Sequence, residues 1–275
     1  MSCPEELRRL YHEGRVVPFI GAGASISVSW SGGKGRGPSW GEMVDQATRL
    51  LGSNDPQLLR LRGSDLQILE YFKIKRGELA PLTNWLSHQF AMATDDDILA
   101  SPILAELAAL DRCSIYYTTN YDDFLERALK KSGRPSQAIT AERSIAHNRL
   151  DVEVVKFHGD FNSPKEMVVT ESQYMDRMRL ENAMDFKLRG DILGRAALFI
   201  GYSFRDPNVN YIFHLINRLF KNLPDSFTGR RAYIVLPDPS DFERRLFQER
   251  NIEVISVGSN DRPCEISNLI KQIRS

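Results

Sequence analysis

Six short runs of β-branched, aromatic and aliphatic residues punctuate the chain, at positions 16–20, 114–118, 152–157, 196–201, 232–236 and 252–257. Several are apolar throughout rather than alternating, the pattern of strands covered on both faces. Helical patterns lie between them. Residues 121–131 read Y-D-D-F-L-E-R-A-L-K-K, acids early and lysines late as a helix dipole favours, and Gly133 follows as a stop. Residues 207–221 open on Pro207 and carry Ile212, Leu215, Ile216 and Leu219 on one face. Two further helices are expected at 241–250 and 265–274. Strand alternating with helix at this spacing predicts an α/β fold with a doubly wound, mostly parallel, six-stranded sheet.

Residues 40–110 break that rhythm. They hold four helix-like segments (42–51, 64–75, 78–93 and 103–110) and no convincing strand, so they are read as a helical insert module between the first and second strands. In an open α/β sheet such an insert is expected over the carboxyl edge of the strands, where ligands bind. The tract S-G-G-K-G-R-G at 31–37 reads as a surface loop and the best candidate for a mobile one.

Composition narrows the functional classes. The chain has 275 residues, with 36 basic and 36 acidic side chains balancing to a net charge of zero. A broad electrostatic footprint for nucleic acid or an anionic membrane is therefore not expected. Cys3, Cys113 and Cys264 are widely separated and form no C-x-x-C pair, which argues against a disulfide framework and a cysteine zinc module. With no apolar run near membrane-spanning length and no signal-like N-terminus, a cytoplasmic protein is the expectation.

The chemistry gathers at strand ends. The first strand runs into Gly21-Ala22-Gly23-Ala24-Ser25, where small residues permit a sharp turn and close approach of amide hydrogens to a phosphate. A plain tight turn explains the same residues. The second strand ends in Thr118-Thr119-Asn120-Tyr121-Asp122, which could be simple helix caps. The third ends in Lys156-Phe157-His158-Gly159-Asp160, and the fourth in Gly201-Tyr202-Ser203-Phe204-Arg205-Asp206-Pro207-Asn208. Independent caps account for each singly but not for the concentration of Gly, Ser, Asn, His and Asp at one edge.

G-A-G-A-S, T-T-N-Y-D, K-F-H-G-D and G-Y-S-F-R-D-P-N, in this order, resemble the sirtuin-like family, and within it the bacterial branch of zinc-free NAD hydrolases in antiphage defence. The resemblance runs from about Val16 to Val257. It implies one catalytic domain over residues 1–275, with a Rossmann-like NAD site and the 40–110 module above it. It implies that Gly21, Ala22, Gly23 and Ser25 hold the NAD pyrophosphate, with Thr119 in the cofactor site. Asn120 and Asp122 would lie near nicotinamide and its ribose, His158 would be the catalytic histidine, and Gly201 and Ser203 would contact the cofactor. Cleaving the nicotinamide glycosidic bond builds positive charge at the ribose C1′. An imidazole can accept a proton from a ribose hydroxyl or water, an asparagine can orient either without adding charge, and an aspartate can stabilise positive charge or fix neighbouring groups.

Departures from the family's deacylases sharpen the reading. Those enzymes usually carry a four-cysteine zinc ribbon after the catalytic histidine, yet no cysteine lies between His158 and Ser203. Their G-I-P-D-F-R-like segment is here Gly37-Pro38-Ser39-Trp40. NAD is thus expected as substrate, with no metal, and ADP-ribose and nicotinamide as products. A protein deacylase or ADP-ribosyltransferase, and a non-catalytic NAD or ADP-ribose sensor, are the alternatives. An unregulated NADase would harm its own cell, so control by homo-oligomerisation or by a separate partner is expected, and the resemblance points to a HerA-like ATPase. His214, among apolar neighbours, reads as structural. Arg205-Asp206 reads first as an ion pair ordering its loop. Arg230-Arg231 and Arg244-Arg245 read as solvated faces or partner contacts.

Overall fold

A computed structural model describes residues 3–53, 55–147, 150–177, 183–202 and 232–275. Ser203, Arg205-Asp206, the helix expected at 207–221 with His214, and Arg230-Arg231 lie outside the described residues. The chain lays down β1 (Val16–Ile20), then a small antiparallel hairpin of β2 (Ser29–Trp30) and β3 (Gly35–Arg36). After a helical stretch come β4 (Ile115–Thr118), β5 (Ser136–Ile139), β6 (Val152–Lys156), β7 (Ala196–Ile200), β8 (Ala232–Pro237) and β9 (Ile252–Val257). The main sheet runs β5-β6-β4-β1-β7-β8-β9, and every neighbouring pair is parallel. From β1 the chain passes to β4, then to the edge at β5, returns to place β6 between β5 and β4, and crosses back to place β7 on the other side of β1. That reversal opens a crevice at the carboxyl end of β1, the point where doubly wound sheets bind ligands.

The central strands are apolar on both faces because both faces are covered. Val16 and Ile20 of β1 enter one core with Ala196, Leu198 and Ile200 of β7, while Val17 and Phe19 enter the other with Ala197 and Phe199. The parallel register sets Phe19 between Tyr117 and Phe199, and the rings stack at 5.0 and 4.6 Å between centroids. The first core is closed by the helices Glu5–His12, Phe124–Lys131 and Arg262–Arg274, and it continues into residues 40–110 through Met43, Val44, Leu69 and Leu86. The second is closed by Ala183–Ile192 and by Phe247.

Three readings of the sequence change. Among the described residues the sheet has seven strands, one more than the six expected. The additional one, Ser136–Ile139, reads S-Q-A-I at the sheet edge, with only Ile139 buried, so no apolar run announces it. The helix expected from residue 121 begins at Phe124 with Asp123 at its N-cap, and residues 122–124 form a turn in which Asp122 Oδ1 takes the Phe124 amide hydrogen at 3.2 Å. The 40–110 stretch holds six helices: Trp40–Leu50, Pro56–Arg60, Asp65–Arg76, Ala80–Phe90, Asp95–Ala100 and Pro102–Ala108. Reciprocal capping pairs Ser39/Glu42, Ser64/Gln67 and Thr94/Asp97 start three of them. The 31–37 tract forms the tip of the β2–β3 hairpin and its return strand, and Arg36 is held by Glu42 through paired contacts of 2.9 and 3.0 Å.

Candidate active site

The turn after β1 and the turn after β7 pack backbone against backbone. The Gly21 amide donates to the Ile200 carbonyl and the Gly23 amide to the Gly201 carbonyl, each at 2.8 Å. A Cβ on Gly21 would stand 2.6 Å from the Gly201 carbonyl oxygen and 2.8 Å from the Tyr202 ring. Gly201 has a φ of 78°. These glycines are therefore required by the contact of the two turns themselves, a reason the sequence reading assigned to a ligand's approach. Ala22, Gly23, Ser25 and Gly201 remain on the wall of the adjoining cavity.

Asn120, at the end of β4, is tied to that turn. Its Nδ2 donates to the Gly21 carbonyl at 3.0 Å and to Ser25 Oγ at 2.8 Å, and its own amide donates to Thr118 Oγ1 at 3.0 Å. Since the Gly21 carbonyl can only accept, the atom facing it is the side-chain NH₂. Both amide hydrogens are thereby committed, and what Asn120 offers a ligand is its carbonyl oxygen. The Ser25 hydroxyl in turn donates to the Asp122 carboxylate. Asp122 is only 5 % exposed. Burial raises its pKa, opposed by Lys156 and by the Ser25 hydrogen bond. Thr119 Oγ1 reaches the Tyr202 hydroxyl at 3.4 Å and links the ends of β4 and β7.

His158 follows β6 and is 3 % exposed. Burial, then the positive charge of Arg177, pushes its pKa down to about 3, so the imidazole is neutral at physiological pH. The Tyr174 ring meets it edge-on at 5.0 Å. Ala22, Gly23, Ser25, Thr119, Asn120, Asp122, His158 and Gly201 all line one cavity of about 1140 Å³, whose far wall includes Trp40, Met43 and Phe90 of the helical stretch. Described residues from each of the four strand ends thus line the same cavity. Gly21 stands behind the wall, and Ser203 lies outside the described residues.

A family model described as a SIR2-like domain matches residues 114–255, just over half of the chain, from the start of β4 into β9. The chain belongs to the SIR2-like family. The match takes in Asn120, Asp122, His158 and Gly201, and the helical stretch and the Gly21–Ser25 turn precede it. Three curated relatives resemble the chain over nearly its whole length. Defense-associated sirtuin 2 of Bacillus subtilis is 24% identical over 94% of this chain and 25% of its own length. The NAD(+) hydrolase ThsA of Bacillus cereus is 24% identical over 94% of this chain and 54% of its own, and that of Enterococcus faecium 26% over 95% and 55%. The chain therefore spans between a quarter and about half of the length of these relatives.

Two contributors to this SIR2-like site were not singled out in the sequence. Lys156, 1 % exposed at the end of β6, donates to the Tyr121 carbonyl at 3.4 Å, to the Asp122 carbonyl, and to Glu126 Oε1 at 3.0 Å. Burial works to lower its pKa, but Glu126 and Asp122 more than offset that and hold it raised, so the ammonium stays charged. A lysine directly after the apolar pair Val154-Val155 and before Phe157 was the available signal. Tyr174 gave none, since it is a single aromatic among mostly polar residues of the helix Glu171–Arg177, E-S-Q-Y-M-D-R.

Proposed function

We propose that the chain cleaves the nicotinamide glycosidic bond of NAD, releasing nicotinamide and leaving ADP-ribose after attack by water, and that this depletes NAD in defence. The observation that carries the reading is the pairing of two neutral groups on one cavity wall: the carbonyl oxygen of Asn120, its amide hydrogens already committed, and the imidazole of His158. The leaving group departs uncharged while the ribose C1′ gains positive character. Neutral acceptors suit that change, because they can take hydrogen bonds from a ribose hydroxyl or from water without first being deprotonated. Asp122 acts through Ser25 and the helix start, fixing the groups around Asn120. The names of the relatives, two hydrolases of NAD(+) and a defence sirtuin, favour the same chemistry. Such an activity needs restraint, which we assign to self-association or to a separate partner such as a HerA-like ATPase.

The test is release of nicotinamide from NAD by the purified protein, alone and with an acetylated peptide. We expect peptide-independent release, lost by on the order of 10²-fold or more in Asn120→Ala and His158→Ala variants that keep the wild-type circular dichroism. Strict dependence on peptide would favour a deacylase, and full turnover in both variants would sink the assignment.

A further inference from the structure

His158 meets the segment that follows it in two places, through its ring and through its backbone carbonyl. Its ring meets two aromatic rings, Tyr174 at 5.0 Å with planes at 68° and Phe157 at 6.1 Å. Its carbonyl accepts the Val168 amide at 3.0 Å. Tyr174 lies on the helix Glu171–Arg177, is 6 % exposed, and also meets Trp40 of the helical stretch edge-on at 6.3 Å. One turn further on, Arg177 donates to the Phe157 carbonyl, and its guanidinium lies 4.6 Å above the Phe157 ring.

The segment is itself anchored from two other parts of the fold. Glu70, on the helix Asp65–Arg76, accepts the Ser172 amide at 2.9 Å. Gln173 Oε1 takes the amides of Val169 and Thr170, each at 3.0 Å. The Tyr121 hydroxyl, next to Asn120, donates to the Val168 carbonyl at 2.6 Å. The segment from Val168 to Arg177 thus touches the strand end bearing His158, the loop bearing Asn120, and the helical stretch that roofs the cavity.

We propose that Tyr174 is a positioning residue that sets the plane of the His158 imidazole, and that the helix Glu171–Arg177 clamps Phe157 and His158 between Tyr174 and Arg177. The proposal deepens the NAD-cleavage reading and rests on it for its kinetic test. An imidazole whose orientation is set by ring packing swings when the ring is removed, and misplacing a reacting group by about 1 Å costs on the order of 10²-fold in rate. The contact between the Tyr174 ring and the imidazole is what carries the effect.

Three variants separate the possibilities. Tyr174→Leu is expected to lower kcat for nicotinamide release by roughly 10²-fold, with KM changed far less, while Tyr174→Phe keeps wild-type kcat. In the ligand-free protein, the imidazole resonances of His158, assigned by their loss in His158→Ala, are expected to shift and broaden in Tyr174→Leu and not in Tyr174→Phe. Wild-type kcat in a folded Tyr174→Leu variant, or an equal loss in the phenylalanine variant, overturns the proposal. If His158→Ala retains turnover, the functional reading fails on its own. The imidazole spectrum then decides the clamp: unchanged resonances in Tyr174→Leu overturn it and shifted ones support it.

Discussion

A neutral, buried imidazole has a consequence for stability. The His158 pKa is about 3, against the ordinary 6.5 that an unfolded chain would show. Above about pH 6.5 neither state carries the proton, and the group contributes nothing to stability. Below that, the unfolded chain binds a proton that the folded chain refuses until about pH 3. Stability therefore falls with acidification across this window, by at most about 1.4 kcal/mol per pH unit from this one group. His158→Asn removes the asymmetry, and its urea midpoint should decline less than that of the wild type between about pH 7 and pH 5. Equal slopes for the two proteins would show that the imidazole is not held neutral. In the same range, the wild-type imidazole resonances should not titrate.

At the scale of elements, the site is made where two turns interlock. Gly201 sits at a φ of 78°, and a Cβ there would lie 2.7 Å from the Ala24 nitrogen and 2.9 Å from the Gly21 carbonyl oxygen, both rigid backbone. Gly201→Ala thus meets backbone strain and a clash together, and should destabilise the fold by about 2–3 kcal/mol. Because the turn also carries the acceptor for Gly23, nicotinamide release should fall further than the melting temperature alone explains, and calorimetry beside kinetics checks both. The same interlock bears on what the sequence discloses. β1 and β7 announce themselves because burial on both faces demands apolar residues throughout, and the ends of β1, β4, β6 and β7 announce themselves because small and polar residues must meet there. β5 does not, since one edge strand with a single buried side chain imposes no pattern. Asn120 and His158 are legible as residue types at strand ends. The role of Tyr174 is not, because an edge-on ring contact between segments distant in sequence leaves no local trace.

Across the whole molecule, the cavity depends on one buried cation that joins separate parts of the sheet edge. Lys156 of β6 reaches the loop after β4 through two carbonyls and the helix Phe124–Lys131 through Glu126. The Asp122 and Glu126 carboxyls are both pushed up by burial, and Lys156 is the first-ranked opposing influence on each. Removing the ammonium while keeping the stem, as in Lys156→Met, strands two buried carboxyls, and loss of one partner of a buried ion pair costs about 3–5 kcal/mol. The sign with pH follows. Without the cation the folded-state carboxyl pKa values rise further above their unfolded values, so the folded variant holds protons that the unfolded chain has lost, and its stability falls as pH rises. The deficit against the wild type should therefore be largest near neutrality and shrink as pH approaches about 4, where the carboxyls are protonated in both states. Adding Glu126→Gln to Lys156→Met removes one of the stranded charges and should recover part of the loss at neutral pH. Urea unfolding of the three proteins at two pH values measures all of this. A deficit that does not change with pH would mean that Lys156 acts by packing its stem, and that the loop bearing Asn120 is held to β6 without help from charge.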